Sequence, residues 1–172
     1  MPGFNIPDGE AAFQFSPRAT IETRRRHRWR FSTLSESVKD ILIYALKADR
    51  PKPVIDKITI HHGQDRIYIP GKNHWEPIDV TFYEVENPDA AQKITDWLQE
   101  VVLFDMAELN GDFRAQGNLE MLDGSGDPTW TAKLFNCWPV QMTPEQLDYS
   151  SSEISTITVT ISYDKAQLPI SD

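Results

Sequence analysis

The sequence predicts a mainly-β domain with a single well-formed helix, an α+β fold built on antiparallel strands. Three segments predict it. Ile157, Val159, Ile161 and Tyr163 alternate with Thr156, Thr158, Thr160 and Ser162, an apolar row opposite a row of hydroxyls. Such alternation is the mark of a strand with one buried and one wet face, which is characteristic of antiparallel sheets. Ile78, Val80 and Phe82 oppose Asp79, Thr81 and Tyr83 in the same way. Between them, Ala91, Ile94, Trp97, Leu98 and Val101 fall on one stripe at helical spacing, which predicts a helix over about residues 88–102.

The remaining elements follow in chain order. Residues 1–20 carry Pro2, Gly3, Pro7, Gly9 and Pro17 without a sustained period, and predict an extended N-terminal arm preceding a single domain over 21–172. Arg26 to Leu34 alternates, with His27, Trp29, Phe31 and Thr33 on one side, and reads as a half-buried strand. Val38, Ile41, Leu42 and Ala45 stand at i, i+3, i+4 and i+7 behind Ser37, predicting a short capped helical insert within 35–48 that Pro51 and Pro53 forbid from continuing. Val54 to Ile60 is β-branched and reads as a strand. His61 to Asp65 reads as a turn, and Arg66 to Ile69 as a short strand ended by Pro70-Gly71. Asn87-Pro88 reads as a helix start, a capping Asn before Pro at the first helical position, with Asp89 suited to the helix dipole. Residues 103–128 are rich in Gly, Asn and Asp and predict a long loop holding at most a brief strand at Leu119–Leu122. Trp130, Ala132, Leu134 and Trp138 alternate with Thr131, Lys133 and Cys137, a strand running to Pro139.

Charge is uneven. The 172 residues carry a net −9, yet residues 1–60 hold 11 basic and 7 acidic side chains and residues 61–172 hold 6 and 19. Arg24, Arg25, Arg26, Arg28 and Arg30 crowd one run around His27 and Trp29. Arginines among aromatics suit nucleic acid, but a chain of this net charge gains little long-range attraction for phosphate. A basic strip on an acidic protein is better suited to pairing with another copy of itself. Arg24, Arg26, Arg28 and Arg30, with Asp123 and Asp127, are therefore the candidate inter-subunit contacts.

Recognisable chemistry is lacking. His61, His62 and His74 have no carboxylate or cysteine at a ligand spacing, so no metal site is expected. Cys137 cannot form an intrachain disulfide and reads as a small buried hydrophobe. Asp123-Gly124-Ser125-Gly126-Asp127 lacks the closing glutamate of a calcium loop, and no Lys-Ser/Thr follows to make a phosphate loop. Catalytic, metal and cofactor-binding residues are all expected to be none. No apolar run approaches the roughly 20 residues of a spanning helix, and the first residues do not read as a signal peptide, so a soluble chain without a membrane anchor is expected.

The C-terminal half carries a pattern. Leu134-Phe135-Asn136-Cys137-Trp138-Pro139-Val140 is followed by Leu147-Asp148-Tyr149, then Ser150-Ser151-Ser152-Glu153-Ile154 and the strand ending at Tyr163-Asp164. Upstream, a Pro-Gly-Lys turn and Trp75 precede the strand Ile78–Tyr83, Asn87-Pro88-Asp89-Ala90-Ala91 and a helix carrying Trp97. This resembles the tail tube proteins of contractile-tailed bacteriophages, which are related to the tube protein of type VI secretion. Trp97, Trp138, Pro139, Asp148, Tyr149, Glu153 and Tyr163 are the residues that carry the family motif. The helical insert and the arginine run depart from it.

The resemblance implies a small β-sandwich or barrel with one flanking helix. It implies hexameric rings stacked into a tube inside a contractile sheath, in a virion tail assembled in the host cytoplasm. Its partners would be itself, the sheath protein, the baseplate hub and the tape measure protein. Genomic DNA would pass through the lumen without specific binding. No catalysis and no cofactor are implied. The wet hydroxyl face of the last strand is a candidate for lining a channel or meeting a partner. The arm 1–20 and the loop 103–128 are candidates for ring stacking. A baseplate tube-initiating protein of the same fold is the nearest alternative. A monomeric β-sandwich module gripping a ligand with Trp75 and Trp130 is a more distant one.

Overall fold

A computed structural model describes residues 24–105 and 113–169. Its strands are β1 (Trp29–Thr33), β2 (Ala45–Ala48), β3 (Pro53–His62), β4 (Asp65–Trp75) and β5 (Ile78–Tyr83), then β6 (Ala115–Leu122), β7 (Pro128–Pro144), β8 (Thr156–Ser162) and β9 (Lys165–Gln167). A 3₁₀ helix, Glu36–Tyr44, precedes β2, and the α-helix α1, Ala90–Asp105, follows β5. Seven strands form one antiparallel sheet in the order β1-β6-β7-β8-β5-β2, with β9 also paired to β7. β3 and β4 pair only with each other, as a separate hairpin.

The sheet is two half-sheets joined by one long strand. β7 pairs with β6 and β9 as far as Cys137, then with β8 from Trp138 onward. The change falls at Asn136, which sits at φ 57. Asparagine is among the few side chains that tolerate this region. The Asn136 amide Nδ2 donates to Asp164 Oδ2 at 2.7 Å, and the Asp164 N–H donates to the Phe135 carbonyl at 3.1 Å. This irregularity reverses the alternation. Ala132 and Leu134 are buried before it, and Cys137 and Pro139 after it. The simple period that grouped Trp138 with Leu134 is thereby corrected: Trp138 is half-buried on the opposite face to Cys137. Nor does Pro139 end the strand. The register shifts beside it, a place where a missing N–H is tolerated.

One core serves both halves. Phe31, Leu119 and Leu134 of the first join Ile78, Val80, Phe82, Ile157, Val159 and Ile161 of the second, capped by Ile94 and Trp97 of α1 and by Val38, Ile41 and Leu42 of the 3₁₀ helix. Lys93 Nζ reaches Asp40 Oδ2 at 2.9 Å and ties the two helices together. The expected helical insert is thus real but shorter and tighter. It is 3₁₀ over Glu36–Tyr44, and residues from Ala45 leave it to pair with β5 (Ala45↔Phe82, Ala48↔Val80). The open backbone groups of β5's free edge compete for these residues and win over helix propensity.

The start of α1 is also shifted. The Asp89 carboxylate accepts from the Gln92 N–H at 3.0 Å, so Asp89 is the N-cap rather than Asn87. The helix then runs to Asp105, beyond Val102, and β6 occupies Ala115–Leu122. Of the described part of the expected loop, residues 113–114 and the turn 123–127 stay outside these elements. Residues 106–112, like the arm 1–20, lie outside the described residues. β1 begins at Trp29 rather than Arg26, because residues 25–28 form a turn closed by the Arg28 N–H on the Arg25 carbonyl at 3.2 Å.

Candidate functional site

Three surfaces stand out, and each is built by the strands that carry it. The first is the outer face of the half-sheet β2-β5-β8-β7. Since Ile78, Val80, Phe82, Ile157, Val159 and Ile161 point inward, pleating turns their neighbours outward. In register across this face stand Asp79 with Thr160, Thr81 with Thr158, and Tyr83 with Thr156. Gln141 and Thr143 of β7 lie beside Thr160 and Thr158, and Lys47 of β2 lies beside Thr81. The hydroxyls are tied laterally. Thr81 and Thr158 share a 3.0 Å bond, and Thr160 Oγ1 donates to Asp79 Oδ1 at 2.7 Å. The result is a wall of hydroxyl and amide groups in which Tyr83 and, beside Ser162, the half-buried Trp138 also stand, with Lys47 and Asp79 as its charged side chains.

The second surface gathers the arginine run. Arg30 meets Glu120 directly across the β1–β6 pair at 2.7 Å, and Ser32 Oγ donates to the same carboxylate at 3.3 Å. Arg28 lies over the 123–127 turn, so close that a Cβ on Gly124 would come within 3.3 Å of its Nη1. In that turn the Asp123 carboxylate accepts from the N–H of Ser125 at 2.7 Å and of Asp127 at 2.9 Å, with Gly126 at φ 93. The N–H groups of Asp127 and Ser125, in that order, hold the Asp123 carboxyl below its usual range, and Arg28 adds to the effect. Among the expected contact residues, Arg28, Arg30, Asp123 and Asp127 are therefore brought together at one edge of the sheet, and Arg24 and Arg26 lie exposed in the preceding segment.

The third surface is the β3–β4 hairpin, which sequence reading divided wrongly. Pro70-Gly71 does not end β4. The strand continues to Trp75 through a shift of register opposite Ile55 and Lys57. Proline is tolerated because β4 has β3 on one side only, and Gly71 is required because a Cβ there would lie 3.1 Å from Asp56 and Ile58. Gly63, at φ 62, makes the tight two-residue turn. Ile58 opposes Ile69 and Ile60 opposes Ile67, so four isoleucines share one face, between 42% and 53% exposed. The other face carries Lys57, Thr59, His61, Arg66 and Tyr68, with the Lys57 ammonium 3.5 Å from the Tyr68 ring.

The motif residues divide between core and surface. Trp97 is buried in α1, Pro139 within β7 and Tyr163 just past the end of β8. Tyr163 packs its ring 6.0 Å from Trp75, and burial pushes its hydroxyl up to about 12. Asp148, Tyr149 and Glu153 instead lie exposed on the β7–β8 loop. The Asp148 carboxylate accepts from the N–H and hydroxyl of Ser150, at 2.9 and 2.8 Å, and is held below its usual range by them. Trp75 and Trp130 pack against the core, the latter beneath the Arg50 guanidinium at 4.9 Å. Cys137 is fully buried, and desolvation pushes its thiol up to about 12. Among the described residues no group of three or more His, Cys, Asp and Glu converges on a metal position, and no helix is long and apolar enough to cross a membrane.

The described residues thus form an antiparallel sheet bent at Asn136, with one packed helix and a separate hairpin. A sequence model of the family described as T4-like virus tail tube protein gp19 matches residues 47–167, so the chain belongs to that family. It is 26% identical over 149 residues to a tail tube protein of Serratia phage KSP90, covering 77% of this chain and 81% of the relative. Its fold is similar to the tube-terminating cap of an anti-feeding prophage, with a TM-score of 0.71 at 15% identity, covering 93% of this chain and 99% of the other. It is also similar to a chain of the sheath–tube complex of an extracellular contractile injection system in its extended state, with a TM-score of 0.69 at 16% identity, covering 90% and 97%. The protein is a tail tube protein, a structural component of the phage tail.

Proposed function

We propose that six copies of this chain close into a ring, that rings stack into the tail tube inside the sheath, and that the β2-β5-β8-β7 face lines the lumen. The observation that carries this reading is the composition of that face. Four adjacent strands of a protein with net charge −9 present threonine, serine and glutamine outward beside Tyr83 and Trp138, with Lys47 and Asp79 as a pair of opposite charges. A wall of this kind wets readily and binds a duplex weakly, because affinity for DNA is dominated by cations that replace phosphate counterions. Genomic DNA passes such a lumen without a specific site. Side-by-side placement of the edge strands β1 and β2 in a ring also removes their exposed backbone groups.

The sheath protein, the baseplate hub and the tape measure protein are the partners in this reading, and assembly takes place in the host cytoplasm. The arginine edge, Arg24 to Arg30, supplies charge for contacts between neighbouring copies, in addition to its bonds within the chain. The role is mechanical and requires no catalytic group.

Electron microscopy of the purified chain at high concentration, with mass from light scattering, tests the proposal. Six-fold rings and hollow tubes are expected. A chain that remains monomeric, alone and with added baseplate complex, contradicts it.

A further inference from the structure

Two neighbouring strands slip at the same level of the sheet. In β7 the buried positions run Ala132, Leu134, then Cys137 and Pro139, so one step skips two residues where pleating skips one. Beside it the buried positions run Val159, Ile161, Tyr163, then Ala166, with the same long step. The register is kept across both slips. Trp138 pairs with Ser162 on one side of them and Phe135 with Lys165 on the other, which sets Asn136 opposite Asp164. A bulge in one strand alone would break the ladder. Matched slips bend both strands together and leave the pairing intact on either side.

The two opposed residues are clipped to each other. Asn136 takes φ 57, its amide Nδ2 donates to Asp164 Oδ2 at 2.7 Å, and the Asp164 N–H donates to the Phe135 carbonyl at 3.1 Å. Their place in the topology gives the clip its leverage. The path from one free edge to the other, β1-β6-β7-β8-β5-β2, changes half-sheets within β7. The bend at Asn136 therefore sets how the β2 edge is turned relative to the β1 edge. In a ring that seats β1 of one copy beside β2 of the next, that turn recurs at every contact. Such a heterologous contact closes only when its rotation divides a full circle: about 60° for six copies, about 72° for five and about 51° for seven. The core shared by the two halves is apolar, and its attraction has no direction. A hydrogen bond has one.

We infer that Asn136 and Asp164 are positioning residues that set the number of copies in the ring, their bond holding the bend between the half-sheets at the angle six copies require. The inference rests on the ring reading and goes beyond it by naming what fixes the count. The pair acts through the sheet, without touching a neighbouring copy.

The test compares rings of the unaltered full chain with those of Asn136→Gly, Asp164→Ala and the double variant Asn136→Asp/Asp164→Asn. Glycine keeps φ 57 accessible and removes only the amide. The double variant reverses the bond, and aspartate tolerates the same backbone region. Copies per ring are counted in end-on electron micrographs and by native mass, and unfolding midpoints are measured on the same preparations. The share of rings with other than six copies is expected to rise about fivefold or more in each single variant, the weight of one hydrogen bond. It is expected to return to the unaltered level in the double variant. A merely structural role would lower the unfolding midpoint and leave the count alone. Single variants that keep the unaltered spread of ring sizes overturn the inference, as does a broadened spread that the double variant does not restore; both leave the ring reading standing. Absence of rings from the unaltered chain overturns the ring reading and the inference with it.

Discussion

The body of the domain and its β3–β4 hairpin are built from the same β-branched residues and end in opposite conditions. In the seven-stranded body every isoleucine of β5 and β8 is at most 1% exposed, sealed by Trp97, Ile94 and the 3₁₀ helix. In the hairpin the four facing isoleucines are all more than 40% exposed and, among the described residues, pair in the sheet only with each other. An isolated two-stranded hairpin is marginal in water, and apolar surface is exposed at a cost. The body thus holds the buried apolar core, and the hairpin adds little to it. Substitutions in the two regions should differ sharply in their effect on stability.

The largest effects belong to the body. Trp97→Ala removes the largest fully buried side chain and is expected to lower stability by about 3–5 kcal/mol, measured by denaturant unfolding. Ile60→Ala in the hairpin is expected to change monomer stability by no more than about 0.5 kcal/mol in the same experiment. A comparable stability loss from both would erase the distinction drawn here. Next in size is the joint between the half-sheets. Asn136→Val places a β-branched side chain at φ 57 and removes the bond to Asp164, for an expected loss of about 1–3 kcal/mol.

Smaller effects are read by titration. The Cys137 thiol is raised from about 9 to about 12 by burial, so the folded state holds its proton more tightly than the unfolded state. Its contribution to stability is present in full below about pH 9 and is lost as pH rises toward 12. At pH 8 a thiol reagent should label the unfolded chain rapidly and the folded chain hardly at all. The smallest is local. Asp123 is depressed by the N–H groups it accepts from, so its contribution is present above the ordinary carboxylate range and fades as pH falls through its folded value. Protection of the Ser125 and Asp127 amides relative to their intrinsic exchange should fall on acidification, and Asp123→Asn should remove most of that pH dependence.

How much of this was legible in the sequence depends on whether local pattern and tertiary demand agreed. They agreed at β5, β8 and the α1 stripe, where alternation or helical spacing matches the buried face residue by residue. The burial of Cys137 was legible from its residue type, while the alternation placed it on the face opposite Leu134. They disagreed where a strand bends or shifts register. Period-two counting cannot foresee the reversal at Asn136, although an asparagine followed by a cysteine and a Trp-Pro pair within one strand is a usable signal for a joint. Pro70-Gly71 looked like an end because these residues punctuate most strands, but a two-stranded hairpin has a free edge for proline and a bulge for glycine. The departure of Ala45–Ala48 from the helix was set by β5's need for a neighbour, which no local window contains. As for the candidate site, the hydroxyl row of β8 was read directly, and the structure flanks it with Thr81 of β5 and Gln141 and Thr143 of β7. The isoleucine face of the hairpin was missed, because its two halves were read as separate strands and never set in register.

The central claim is that the hydroxyl face looks inward along the tube. A cryo-electron microscopy reconstruction of assembled tubes tests it most directly. The account predicts that Thr81, Thr158 and Thr160 lie on the luminal wall, with the arginine edge and α1 away from it. Tubes whose lumen is lined by α1 or by the β1–β6 face, with the threonine rows turned outward, would contradict it.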